Sequence, residues 1–332
     1  MMCMSETSRP SPKPPTLGLV PLVLAAGILL AGGCDRPEDP AVNAASPVSE
    51  TPDPAALAAA TEAWHADRLA TLAAPDGWLT LVTLAWLEPG PNRVGRREGD
   101  AVRHAGLPAD HVGTLHVDGR TVRFEPAPGV AVDGVPADGM LRTDADGDPT
   151  VLEAGRCRFQ VIDRGGMLAV RMRDPDAPTR TDFAGIERFA VDPAWRIVAR
   201  FEPAAEDRTV PVTSVIGVVD DTAVAGRARF DHRGAAVDMV LHPAGDPDRF
   251  FVVFGDETNG STTYAAGRFL LAERAGPDRV VLDFNRAYNP PCAFTAFATC
   301  PLPVPDNRLP FAVTAGEHAP AMAGSAAAGA GP

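Results

Sequence analysis

From residue 78 to about residue 285 the apolar positions come in short runs, cut at close intervals by turn-forming residues. Residues 114–117 and 120–125 flank Asp118-Gly119, a dipeptide suited to a two-residue hairpin turn. Residues 156–163 and 167–173 flank Arg164-Gly165-Gly166, and similar runs follow at 195–201, 209–215, 217–220, 223–230, 235–241, 249–254, 268–272 and 280–285. Residues 78–87 (WLTLVTLAWL) are apolar in both alternating sets, which predicts a strand buried on both faces. Strands at this spacing, almost without helices, predict a mostly β chain of two sandwich-like or barrel-like lobes. Asp-Pro-Asp-Ala-Pro at 174–178 interrupts the rhythm, so the boundaries predicted are 78–180 for the first lobe and 181–318 for the second.

One helix is predicted, within 54–77. Asp53 is a capping acid, Pro54 suits the first helical position, and Pro75-Asp76-Gly77 stops the segment. Trp64, Leu69 and Leu72 are its predicted apolar face.

The ends of the chain follow different rules. Arg9 and Lys13 precede an apolar run at 17–30 (LGLVPLVLAAGILL) that is shorter than the roughly 20 residues of a membrane span. Ala31-Gly32-Gly33-Cys34 completes the pattern of an export signal over 1–34. Its end resembles a bacterial lipoprotein processing site, which implies Cys34 as the lipidated residue and a membrane as partner. The localisation expected is the cell envelope, lipid-anchored and facing the periplasm or cell exterior. Residues 35–53 are rich in Pro, Ala and acids and are expected to be a flexible tether. Residues 319–332 are expected to be a disordered tail.

Composition changes the picture in one respect. The 332 residues are 45% hydrophobic and 22% charged, as in a globular protein, and the net charge is −13 with no Lys/Arg stripe. No nucleic-acid partner is expected, because phosphate binding needs clustered cations.

Candidate chemistry concentrates near the C-terminus. Asp256, Thr258, Tyr264 and Arg268 follow one apolar run; Asp283, Asn285, Arg286, Tyr288 and Asn289 end another. Pro290-Pro291, Cys292, Cys300 and Asn307 continue the segment. Arg286 offers a planar fork to a small anionic or polar ligand, and Asp256 or Asp283 offers a base. The same residue types also suit stapling of an irregular loop. Three readings stand for Cys292 and Cys300: a structural disulfide, a buried reduced pair, or a redox or nucleophilic thiol. Cys157 alternates with Arg156 and Arg158 and is read as a core residue. His104, His111 and His116 do not share a strand face, so no metal site is predicted from them, and Asp144–Asp148 is read as a solvated acidic turn.

Two resemblances are carried by longer strings. Asn92-Arg93-Val94-Gly95-Arg96 and Val130-Ala131-Val132-Asp133-Gly134 distantly resemble the first strand and closing turn of a forkhead-associated β-sandwich. The Ser-x-x-His that would imply phosphothreonine binding is missing. Phe254-Gly255-Asp256-Glu257-Thr258, the string at 263–270, Leu282 through Phe294, Ala298 through Pro303 and Asn307 through Pro310 resemble the domain-of-unknown-function family 1684 of bacterial and archaeal proteins. That resemblance implies no activity, cofactor or catalytic residue. The leading expectation is a binding or envelope-associated module; the alternative is a hydrolase or thiol-dependent enzyme centred on Asp283, Arg286, Tyr288, Asn289 and Cys292.

Overall fold

A computed structural model describes residues 53–320. The predicted signal, Cys34, the tether up to residue 52 and residues 321–332 lie outside the described residues. The helix forms as α1 (Pro54–Leu72), and the Asp53 carboxylate accepts the Ala56 N–H at 3.1 Å. Its buried stripe differs from the predicted one. Leu57, Thr61, His65 and Leu72 face inward, Thr61 and His65 among them because i, i+4, i+8 spacing keeps one face where the i, i+5, i+8 set drifts off it.

The first lobe comprises β1 (Leu81–Trp86), β2 (Gly90–Gly95), β3 (Val102–Arg103), β4 (Gly113–Asp118), β5 (Thr121–Pro126), β6 (Met140–Leu141), β7 (Leu152–Ala154), β8 (Cys157–Arg164) and β9 (Met167–Arg173). Sheets ordered β1-β9-β8-β7 and β3-β2-β4-β5-β6 supply Phe159, Val161, Val170 and Met172 from one side and Val94, Leu115, Val122 and Phe124 from the other to one core. The strand predicted at 78–87 begins only at Leu81. Trp78–Thr80 is a 3-10 turn, closed by the Thr80 hydroxyl donating to Gly77 O at 2.7 Å. β1 is buried on one face, with Trp86 exposed at the sheet edge.

The second lobe comprises β10 (Arg196–Pro203), β11 (Thr209–Thr213), β12 (Val219–Ala223), β13 (Gly226–His232), β14 (Ala235–Pro243), β15 (Arg249–Phe254), β16 (Arg268–Arg274) and β17 (Arg279–Asp283). β10-β13-β14-β15-β16-β17 close into a barrel, and β11-β12 stand beside it as a hairpin. The runs predicted at 217–220 and 223–230 fall two to three residues late, as β12 and β13.

Strand periodicity builds the barrel interior. Ala199 and Phe201, Ala228 and Phe230, Val237, Met239 and Leu241, Phe250, Val252 and Phe254, Leu270 and Ala272, Val280 and Leu282 all point into one core. Leu309, Phe311, Val313 and Ala315 keep the same alternation without being a strand and join that core. The outward set of β15 and β16 is also apolar. Phe251, Val253 and Phe269 are covered by Tyr288, Cys292, Ala298 and Cys300, so the C-terminal segment is the outer layer of this side. The two lobes keep separate main cores within one compact unit.

Candidate functional site

The residues singled out in the sequence separate into three locks, one cleft and one thiol pair. The first lock is Asp256 with Arg268. Arg268 Nη2 donates to Asp256 Oδ2 at 2.8 Å, with both side chains at 0% exposure. Arg268 also donates to the carbonyls of Val313 and Ala315, and Asp256 Oδ1 accepts Val313 N at 3.1 Å. Thr258 donates to the same carboxylate oxygen through N (2.8 Å) and Oγ1 (2.6 Å). Asn259 ties this turn to the Tyr264 carbonyl at 3.0 Å. Asp256, Thr258 and Arg268 therefore seat the 313–315 segment, with Arg268 Nε alone of the three side chains' donors left buried without a partner.

Asn307 is the second lock. β14 pairs with β15 only at His242↔Phe251 and Pro243↔Phe250. Where the strands part, the Asn307 amide enters between them, accepting Val240 N at 2.7 Å and donating to Val240 O and Val253 O at 3.0 and 2.9 Å.

Asn289 belongs to the third. Its N–H donates to Glu317 Oε2 at 2.7 Å and its Nδ2 to His318 O at 2.6 Å, while Arg68 of α1 donates to its carbonyl at 2.9 Å. Glu317 is 1% exposed, and Arg68 Nε lies 3.5 Å from Oε1. Burial pushes the Glu317 carboxyl above the usual carboxylate range, against the pull of Arg68 and the Asn289 N–H. Gly316 lets the chain pass here: φ is +79°, and a Cβ would lie 2.4 Å from Ala287 O. Tyr288 bridges Phe269 through both backbone groups at 2.8 and 2.9 Å, and the Arg68 guanidinium sits over its ring at 4.7 Å.

The cleft lies between the first half of α1 and the outer face of β10 and β17. It has a volume of about 220 Å³, floored by Leu57, Ala60 and Val281 and carrying Arg196, Arg286, Asp283 and Glu273. Arg286 reaches it from the 3-10 turn Phe284–Arg286, which Asp283 caps by accepting Asn285 N at 3.2 Å. Asn285 fixes the turn by exchanging two hydrogen bonds with the Asp192 backbone, at 2.9 and 3.0 Å. Arg286 Nε is buried without a hydrogen-bond partner, its nearest carboxylate being Asp283 Oδ2 at 3.7 Å. Arg196 points outward opposite Asp283 in the β10–β17 pairing. It also lines a wider groove of about 500 Å³ with Arg200, Arg279 and Asp278. Tyr288 and Asn289, grouped with Arg286 in the sequence, do not line the cleft.

Cys292 and Cys300 are both free. Cys292 N donates to Cys300 Sγ at 3.2 Å, the Tyr264 hydroxyl donates to Cys292 O at 3.0 Å, and Cys300 is 6% exposed. The disulfide reading is not the one the structure adopts.

Sequence spacing missed Arg196, Arg68 and Glu317, which carry no local motif; outward alternation along 196–200 was the only signal for Arg196. His104 also has other neighbours than His111 and His116. It pairs with Asp174 at 2.7 Å, close to Cys157, in a cluster where Arg156 Nε donates to the second Asp174 oxygen at 2.7 Å. The acidic turn at Asp144–Asp146 is closed by a capping box with Thr143.

No curated protein matches the chain. Among solved structures it is similar to the solution NMR structure of the uncharacterized protein from gene locus rrnAC0354 of Haloarcula marismortui. The identity is 32%, covering 42% of this chain and 78% of that one, with a TM-score of 0.35. Residues 181–318, which hold the barrel and the segment packed on it, match the family described as "Protein of unknown function (DUF1684)", and over that span the chain belongs to it.

Proposed function

We propose that the protein is an exported, lipid-anchored binding module that takes a small anionic or polar ligand in the cleft between α1 and the barrel. The observation carrying this reading is Arg286 Nε, a buried donor without an acceptor beside a cavity that Arg196 also lines. A buried guanidinium N–H left unpaired is costly, and a carboxylate, phosphate or sulfate oxygen would satisfy it. The cleft carries Arg196 and Arg286 beside Asp283 and Glu273, and Arg196 is shared with the wider groove that Arg200, Arg279 and Asp278 line. The apolar floor from α1 suits a ligand with a short hydrocarbon part.

A hydrolase is the second reading, and it narrows to Asp283. Asp256 is committed to Arg268 and Val313, whereas Asp283 lines the cleft beside Arg286. A general base must reach substrate.

The test is a thermal-shift screen of phosphate, sulfate and short mono- and dicarboxylates on wild type, Arg286→Ala and Arg196→Ala. Stabilisation of wild type that is lost in Arg286→Ala supports the cleft, and equal shifts in wild type and Arg286→Ala reject it. A hit that is turned over by wild type but not by Asp283→Asn favours the hydrolase. The anchor is tested by membrane fractionation of Cys34→Ala against wild type: partition of both to the soluble fraction removes it.

A further inference from the structure

We propose that Cys292 and Cys300 form a dithiol–disulfide couple that exchanges with small aliphatic disulfides, Cys292 attacking and Cys300 resolving. The site is separate from the Arg286 cleft and stands or falls without it.

The geometry of the two thiols is asymmetric. Cys292 is half-buried and follows Pro290-Pro291, in the 3-10 turn Pro291–Ala293. Cys300 is buried among Val253, Phe269 and Ala298, and its sulfur accepts the Cys292 N–H. The 3.2 Å bond from Cys292 N to Cys300 Sγ holds the second sulfur beside Cys292, and the Tyr264 hydroxyl donates to the Cys292 carbonyl at 3.0 Å. The hydrogen bond from the Cys300 thiol draws Cys292 below the ordinary thiol range against the effect of burial, and Tyr264 adds to it. Cys300 moves the other way, through its bond to Cys292 and then its burial. A more acidic, more accessible thiol backed by a buried one is the division of labour that exchange requires.

In the forward direction, the Cys292 thiolate attacks one sulfur of a disulfide R–S–S–R′. The S–S bond breaks, R′–S⁻ leaves and takes up a proton, and a Cys292–S–S–R mixed disulfide forms. Cys300 then gives up its proton and attacks the Cys292 sulfur, expelling R–S⁻, which is protonated in turn. Two electrons pass from the protein to the external disulfide. The loop that closes is held between the lobes: Thr299 Oγ1 accepts from Arg164 Nε at 3.0 Å and Arg171 Nη2 at 3.3 Å, both from the first lobe. Closing the ring next to Thr299 would act on that contact.

The experiment uses the reduced full-length chain and oxidised glutathione, with acid quenching and tryptic mapping. One peptide, Ala287 to Arg308, carries both cysteines with no internal Lys or Arg. The expected result is loss of two hydrogens from the wild-type peptide, reversed by dithiothreitol. Cys300→Ser should trap a glutathione adduct on Cys292, and Cys292→Ser should show no adduct on Cys300. A wild-type peptide that stays dithiol overturns the proposal, as do equal adducts in the two variants. If either variant fails to fold, native alkylation of wild type decides: Cys292 labelled ahead of Cys300 supports the assignment, and equal labelling or Cys300 first overturns it.

Discussion

Arg268 and Asp256 meet at 2.8 Å with neither side chain exposed to solvent. The pair is a fastening, since Arg268 also holds the Val313 and Ala315 carbonyls and Asp256 holds the Val313 N–H. Removing one partner of a buried pair strands the other charge and costs about 3–5 kcal/mol. Asp256→Ala is expected to fall in that range by denaturant unfolding, and Arg268→Met to be no milder because the Asp256 carboxylate and the Val313, Ala315 and Glu317 carbonyls all lose their donor. A loss below about 1 kcal/mol for Asp256→Ala would mean that the pair is exposed in solution.

Asn307 yields a sharper expectation because its amide works with both polarities. It accepts from Val240 N and donates to two carbonyls, so Asn307→Asp keeps the acceptor and loses both donors. Each buried group left unsatisfied costs about 1–3 kcal/mol. Asn307→Asp is therefore expected to be nearly as damaging as Asn307→Leu, read as a fall in denaturant midpoint. A substitution to Asp that leaves the midpoint unchanged would contradict the inserted amide.

The elements and the locks were legible in the sequence to different depths. Residues 250–254, 270–272 and 280–282 are unbroken apolar runs, so the barrel strands were readable as short runs bounded by turn residues, while which alternate set faces the barrel interior was not. Residues 78–80 misled because a buried 3-10 turn and a buried strand are both apolar, and only the Thr80–Gly77 bond separates them. Asp256, Asn289 and Asn307 were found as chemically dense positions, but their partners Val313, Glu317 and Val240 are 28 to 67 residues away. Local sequence cannot tell a lock from a ligand site when every partner is that remote. Arg268 and Arg68 also carry a buried Nε without an acceptor, and Arg286 differs from them in lining the cleft.

Glu317 predicts one pH dependence. Burial raises its folded-state pKa above the unfolded value near 4.5. A carboxyl shifted this way stabilises the fold fully below the unfolded pKa, and that contribution is lost as pH rises through the folded pKa. Glu317→Gln should remove this fall, giving a flatter profile of unfolding midpoint against pH from about pH 4 upward. A profile that parallels wild type would show that Arg68 compensates the carboxylate in full.

Asp174 predicts the opposite sign. Burial alone would raise it, but hydrogen bonds from Arg156, His104 and the Asp176 N–H outweigh burial and hold the carboxyl at about 2, against an ordinary 3.8. A depressed carboxylate contributes stability that is present above the unfolded pKa and lost as pH falls through the folded one, here between about 4 and 2. The residue directly follows β9, and its two partners come from the β3–β4 loop and the turn before β8, so its protonation loosens a junction between the two sheets of the first lobe. Asp174→Asn should remove the acid-side loss in this window while lowering the midpoint at neutral pH. The check is to follow unfolding at Trp78 and Trp86, with Trp64 and Trp195 replaced by Phe, across that range. If Asp174→Asn loses stability on acidification as steeply as wild type, the acid transition belongs to other carboxylates.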